Sequence, residues 1–348
     1  TEGGEIDCPK CHDDQGTETD CPNCYDSQGN EMICPNCYSE GNEINCPGAN
    51  EFYDKYKTYI YGQDGSYDSD TKILDADKQR FTVRTVGGDS MADDSITSLT
   101  WEIKTDTNKT ETYTWEEAGT YINDLNTNEF GGYSDWRIPT VKELAFIVNR
   151  DNYNPAVDTE ILPNTASGDS DYNYWSSTKT DDSERVWIVN FGGKMGGKVT
   201  GYPTSGENEL SYYIRAVRGN EMPASVFTDN GDGTITDIMT GLMWLKKVSE
   251  KSWNEAFKHC EALTENGYSD WRLPNINEVL TIFDHSKNSL HETFSGLPSS
   301  YWSSTARIND KAHAWRTSLG NVAYTGKSTP DSVIAVRDAK VYDSGDID

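Results

Sequence analysis

The feature that most restricts the fold of this 348-residue chain is an internal duplication that fills everything after residue 80. Gly131-Gly-Tyr-Ser-Asp-Trp136-Arg-Ile-Pro139 returns as Asn266-Gly-Tyr-Ser-Asp-Trp271-Arg-Leu-Pro274, and Tyr174-Trp175-Ser-Ser-Thr178 returns as Tyr301-Trp302-Ser-Ser-Thr305. The same order holds for Leu99-Thr-Trp101 with Leu242-Met-Trp244, Trp115 with Trp253, Trp187 with Trp315, and Ala216-Val-Arg218 with Ala335-Val-Arg337. Two copies of one domain therefore stand in tandem, about 80–219 and 220–338. Whatever fold the first copy adopts, the second must adopt too.

Each copy carries two helix-start signals. Thr114-Trp-Glu-Glu117 and Ser252-Trp-Asn-Glu255 open a first helix, and Thr140-Val-Lys-Glu143 and Asn275-Ile-Asn-Glu278 a second. A cap oxygen and a glutamate three residues on satisfy the free amide donors of a helix start. Leu144-Ala-Phe146-Ile-Val and Val279-Leu-Thr-Ile-Phe283 then supply buried helical faces, while Val186-Trp-Ile-Val-Asn-Phe191 and Ala312-His-Ala-Trp-Arg-Thr read as short strands. Asp229-Asn-Gly-Asp-Gly233 is a hairpin turn. The expected domain is α+β, with helices on a small antiparallel sheet.

Ahead of the copies lies a different repeat. Cys8-Pro-Lys-Cys11, Cys21-Pro-Asn-Cys24 and Cys34-Pro-Asn-Cys37 are spaced by thirteen residues and followed by Cys46. The arm 1–50 has almost no large apolar side chains beyond Ile6, Met32, Ile33 and Ile44, so it cannot bury a core and needs a cross-link, a metal, a cofactor or a neighbouring chain. Paired knuckles can present thiolates to zinc, and the seven arm cysteines with His12 would make eight ligands. Residues three apart can also be bridged as disulfides, with Cys46 and the isolated Cys260 as a last long-range pair or with partners from another subunit. Cys8-Pro-Lys-Cys11-His12 further satisfies the c-type haem attachment pattern, which Tyr25 and Tyr38 deny to the other two knuckles. These chemistries stay open at this level. Residues 51–79 form a Tyr- and Asp-rich connector, and 339–348 an acidic tail.

With 58 acidic against 30 basic residues the formal charge is −28, which argues against nucleic acid and an anionic membrane surface as partners. No apolar run is long enough to span a bilayer. The chain begins at Thr1, which fits removal of a secretory signal peptide, so an extracellular or cell-surface location is expected. Calcium would suit so acidic a surface, and Asp229, Asn230, Asp232 and Asp237 offer hard oxygens. Their spacing departs from an EF-hand loop, and a plain turn is the preferred reading.

The motifs from Phe227-Thr-Asp-Asn through Gly-Leu-Met-Trp244, Gly-Tyr-Ser-Asp-Trp271-Arg-Leu-Pro274, Tyr301-Trp-Ser-Ser-Thr305 and Ala335-Val-Arg337 resemble the Lcl C-terminal domain family, named for a Legionella collagen-like adhesin. The first copy is similar over 81–219, with its opening hairpin altered to Phe81-Thr-Val-Arg-Thr-Val-Gly-Gly. The resemblance implies a secreted or surface module with a C-type-lectin-like fold, used in adhesion, carbohydrate contact or assembly, and no well-defined catalytic residues. Asp135, Arg137 and Arg218, with Asp270, Arg272 and Arg337, read either as a sugar site or as buried carboxylate–guanidinium pairs that hold loops around a tryptophan; the second reading is preferred. The expected protein is a secreted structural or adhesive subunit that self-assembles by docking its arm on a neighbour. A metal- or haem-binding redox protein and a monomeric carbohydrate-binding adhesin are the alternatives, and an enzyme the least expected.

Overall fold

The computed structural model describes residues 80–168, 172–180, 185–192, 198–203 and 210–339. Before residue 80 it describes only short backbone pairings, Cys11–His12 with Glu18–Thr19 and Tyr38–Ser39 with Asn42–Glu43. The connector 51–79 and most of the acidic tail lie outside the described residues.

In the first copy, β1 (Phe81–Val86) and β2 (Asp89–Asp94) form a hairpin, followed by β3 (Thr100–Glu102), α1 (Trp115–Thr127) and α2 (Val141–Phe146). Three strands come next, β4 (Asn173–Lys179), β5 (Arg185–Asn190) and β6 (Val199–Pro203), before the short β7 (Val217–Arg218). The second copy repeats this plan: β8 (Phe227–Asp229), β9 (Thr234–Asp237), β10 (Leu242–Lys251), α3 (Trp253–Glu261) and α4 (Ile276–Thr281). A small extra pair, β11 (Phe283–Asp284) and β12 (Ser289–Leu290), precedes β13 (Ser300–Ala306), β14 (His313–Ser318), β15 (Asn321–Gly326) and β16 (Asp331–Asp338). Each copy closes its own four-stranded antiparallel sheet with its last strand, in the orders β1-β2-β3-β7 and β8-β9-β10-β16.

All four helix starts form where the sequence places them. Glu117, Glu143 and Glu278 accept from the backbone amides of Thr114, Thr140 and Asn275 at 2.9, 2.7 and 2.7 Å, and the cap side chains accept in return from the glutamate amides. Glu255 accepts from both the amide and the hydroxyl of Ser252, at 3.2 and 2.7 Å. The altered hairpin of the first copy is still a hairpin. Gly87 and Gly88 take φ values of 63° and 102°, the left-handed conformation that a two-residue turn of this hand requires.

The expectation of a small sheet within each copy needs correction. The strands β4-β5-β6 and β13-β14-β15 are not separate; they join edge to edge as one six-stranded sheet in the order β13-β14-β15-β6-β5-β4. The joint is the antiparallel pair Val199 with Val322, both fully buried. These two residues are equivalents: Val199 lies opposite Val189 and Val322 opposite Thr317, two residues beyond Trp187 and Trp315 respectively. A pairing of equivalent residues is the mark of a local two-fold, here between two parts of one chain. It also removes two exposed strand edges.

One apolar core spans this joint. Val141, Leu144, Trp187, Val189 and Val199 pack with Ile276, Leu280, Trp315 and Val322. The equivalent helices α2 and α4 also meet there. Every residue of α4 and five of the six in α2 are buried, where amphipathic helices on a separate domain would keep a wet face. Polar contacts cross as well. Trp187 Nε1 donates to the His285 carbonyl at 2.8 Å, and the Arg150 guanidinium donates to Asn277 Oδ1 at 2.9 Å while lying 5.5 Å from the Trp315 ring centre.

The copies differ at one buried carboxylate in a way that pH can read. Asp94 receives Arg80 in two hydrogen bonds, 3.0 and 2.6 Å. Its equivalent Asp237 has no such partner, because the residue preceding Phe227 is Val226 where Arg80 precedes Phe81. Asp237 Oδ2 has no hydrogen-bond partner among the described residues. Burial pushes this carboxyl up to about 6, against hydrogen bonds from Thr240 and Met239 and the charge of Lys142. A raised folded value favours the acid form, so the contribution is fully present below the unfolded value near 4 and is lost as pH rises through 6. It amounts to about 3 kcal/mol by linkage. His285 at the joint, pushed by burial down to about 3, acts oppositely, with stability present above about 6.5 and lost as pH falls. Asp237→Asn isolates the first effect. The stability of wild type relative to this variant should fall by about 2 kcal/mol between pH 4 and pH 7 in urea unfolding; a flat difference would contradict the assignment.

Candidate functional site

The residues that both copies share are committed to the scaffold. In the first copy Arg218 takes Asp135 in two hydrogen bonds, 2.7 and 3.1 Å, and lies over the Tyr133 ring at 3.7 Å. In the second, Arg337 takes Asp270 at 2.7 and 3.0 Å and lies over Tyr268 at 3.8 Å. Arg218 holds the Asp135 carboxyl below the usual carboxylate range, first through the hydrogen bond and then through its charge. The expected burial of these carboxylates is corrected: the side chains of Asp135 and Asp270 are 53% and 56% exposed, and it is Arg337 that is buried. The other arginine of the motif has a separate task. Arg137 and Arg272 each grip the helix-capping glutamate, Glu143 at 2.8 and 2.7 Å and Glu278 at 2.7 and 2.6 Å.

The Ser-Ser-Thr segments are equally structural. Ser176 and Ser303 donate to the carbonyls of Trp187 and Trp315 at 2.6 and 2.7 Å. Thr178 and Thr305 accept from the first amides of α2 and α4 at 3.0 and 3.1 Å. Trp175 and Trp302 donate to the carbonyls of Tyr113 and Lys251, which fixes those two residues as equivalents.

Of the cysteines proposed as ligands or bridges, Cys8, Cys21, Cys24, Cys34, Cys37 and Cys46 lie outside the described residues. Cys11 and His12 are described only as backbone in a short pairing. In place of the expected long-range partner, Cys260 has an apolar pocket. It is a free thiol on the inner face of α3, packed with Trp253, Ala256, Trp271 and Trp302, and burial pushes it up to about 12. Spacings of three and four residues from Trp253 through Ala256 to Cys260 place all three on one helix face. The acidic turn of the second copy is a turn. Asp229 pairs with Lys246, Asp232 accepts from the amide and hydroxyl of Thr234 at 2.9 and 2.6 Å, and Asp237 sits in the core.

What sets the first copy apart is found at positions where the copies disagree. Glu102, Lys104 and Arg215 are buried together, 0%, 5% and 0% exposed. Lys104 Nζ lies 3.0 Å from Glu102 Oε1, Arg215 donates to the Glu102 carbonyl at 2.7 Å, and the Ala216 amide donates to Glu102 Oε2 at 3.0 Å. The Tyr121 hydroxyl donates to Glu102 and receives Lys104 at 2.7 Å. Burial drives the Lys104 ammonium down, opposed by Glu102, and drives the Tyr121 phenol up, reinforced by Glu102. Counted from the shared tryptophans and from Ala216 and Ala335, the second copy has Leu245, Ile334 and His259 in place of Glu102, Arg215 and Tyr121. The fold thus closes without this network.

Above it opens a cleft of about 450 Å³ lined by Asp89, Glu111, Tyr113, Tyr121, Asp124, Leu125, Asn128 and Phe130. Tyr113 and Tyr121 stand 5.0 Å apart between ring centres, and the Tyr113 hydroxyl donates to Glu111 at 2.6 Å. In the second copy Tyr113, Glu111 and Asp124 correspond to Lys251, Ser249 and Ala262. A search for matching residues passes over this cleft; the mismatches mark it.

The family model of the Lcl C-terminal domain matches residues 90–218 and again residues 233–337, more than half of the chain and once in each copy. The chain belongs to the Lcl C-terminal domain family. Both Lcl domains carry the full Tyr–Arg–Asp stack and the Arg–Glu clamp on the second helix, so in this protein the family's repeated motif is a folding element. No curated protein matches the chain.

Proposed function

We propose that this protein is an extracellular structural or adhesive subunit whose paired Lcl domains form a rigid body, fastened to neighbouring subunits by the cysteine-repeat arm. The observation that carries this reading is that the two copies share one sheet and one core, while the polar residues they repeat bond to one another within the scaffold. Seven of eight cysteines lie within the first 46 residues, which supports an arm that works by cross-linking or ligation. The charge of −28 supports surroundings rich in salt or calcium. A C-type-lectin-like fold is our reading of two helices set against antiparallel strands, with first and last strands of each copy in one sheet.

Docking of an arm on the body of the next subunit is a heterologous contact, and it builds a filament unless the rotation closes a ring. Light scattering on the full chain and on a chain lacking residues 1–50 tests this. The full chain should form particles of many chain masses, and the truncated one a monomer with unchanged circular dichroism. Assembly of the truncated chain, or a monomeric full chain, would refute the proposal. The Cys8-Pro-Lys-Cys11-His12 motif favours a second reading, a haem-binding redox protein on the same scaffold. A Soret band in the purified protein would decide for it.

A further inference from the structure

We infer that the face by which the copies join selects its partner: the first copy presents a basic half and the second an acidic one, so each accepts the unlike copy and rejects its own kind, within one chain or between two. The inference rests on the joint seen in the structure and not on how the arm assembles. Its starting point is the local two-fold that sets Val199 against Val322. Each contact across that axis has a counterpart in which the copies exchange roles. Counted from the matched Pro139 and Pro274, Arg150 is equivalent to His285 and Lys142 to Asn277. The turns agree with this count. The Asn149 side chain accepts from the Asp151 amide at 2.9 Å, and the Asp284 side chain from the Ser286 amide at 3.1 Å.

Arg150 is buried and donates to Asn277 Oδ1 across the joint. The counterpart contact sets Lys142 of α2 near His285, where burial and then the lysine charge lower that imidazole. If two first copies met through the same face, Arg150 of one would meet Lys142 of the other, and it would do so twice. Such a contact adds repulsion to the cost of taking two cations out of water. The carboxylates point the same way. Burial drives the Lys142 ammonium down, opposed by the charges of Asp237 and Asp284 on the second copy. The first copy has Asn149 in place of Asp284, and Arg80 already holds its Asp94 in two hydrogen bonds. A second Lys142 would find no such charges there. Two second copies fail for the opposite reason, since each buried Asp237 would have Asn277 where Lys142 stands. Selectivity thus comes from what the wrong pairing leaves unmatched as well as from what the right one matches.

Two cycles of paired substitutions in the full chain, read by urea unfolding at neutral pH, test the selectivity. Asn277→Lys gives the second copy the residue of the first and sets it against Arg150. It should raise the unfolding constant about a hundredfold or more. Adding Arg150→His restores the lysine–histidine contact that the joint already holds in its other half, so the double variant should be no less stable than Arg150→His alone. Lys142→Asn is the reverse change. It should raise the unfolding constant about tenfold, and Asp237→Asn should remove that penalty, because no buried carboxylate is then left facing an amide in place of its lysine. An Asn277→Lys variant as stable as wild type, effects that simply multiply in either cycle, or a chain that stays unfolded with Asn277→Lys and Arg150→His together would each overturn the inference.

Discussion

Glu102→Leu is expected to destabilise the protein by about 3–5 kcal/mol, because Lys104 and Arg215 would remain buried without the carboxylate that compensates them. A loss of that size is a large share of the stability of an ordinary domain. The same substitution should become almost harmless in company. Glu102→Leu combined with Lys104→Met, Tyr121→Phe and Arg215→Ile reproduces the apolar solution that the second copy already uses at Leu245 and Ile334. Replacing a complete buried ionic set by packed apolar side chains is often neutral or stabilising, so the fourfold variant should lie within about 2 kcal/mol of wild type. Urea unfolding followed by tryptophan fluorescence checks both. If the four single effects simply add, the network is not a closed set.

Val322→Asp is expected to have the largest effect of any single change, more than about 4 kcal/mol, since it puts an unpaired charge at a fully buried position. The consequence should not stay within the second copy. Val322 pairs with Val199 at the centre of the six-stranded sheet, and the core around it includes Val141, Leu144 and Trp187 of the first copy. Hydrogen exchange should therefore rise in β5 and β6 as well as in β14 and β15, whereas unfolding confined to residues 220–339 would mean that the copies are energetically separate.

The helix starts were legible in the sequence because each depends on four consecutive residues, and all four Ser/Thr/Asn-to-Glu signals hold in the structure. The scaffold role of the Asp-Trp-Arg and Ala-Val-Arg motifs was also legible, since duplicated polar residues at fixed separations point to each other. Their burial was not. Which member of an Asp–Arg pair faces water depends on the tyrosine stacked beneath the arginine, a contact across 69 residues from Tyr268 to Arg337. The shared sheet was hidden for a similar reason. Its joint rests on one residue pair, Val199 with Val322, whose surroundings in the two copies differ in length and composition. The core position of Cys260 was legible too, since its spacing from Trp253 and Ala256 places it on their helix face. The cleft left its trace in differences, Glu102 against Leu245 and Tyr113 against Lys251, which an alignment of likenesses discards.

The two Lcl domains share one sheet and one core and so act as one body, the unit that the proposed arm docking would tie into an assembly. A protease site placed between Pro223 and Ala224, both exposed, allows the full chain to be cut after folding. Size-exclusion chromatography of the cut protein at low micromolar concentration is then the direct measurement. The two pieces should elute together as a single particle, at the volume of the uncut chain, held by the six-stranded sheet and its common core. Elution as two independently folded halves would show that the copies are separate bodies.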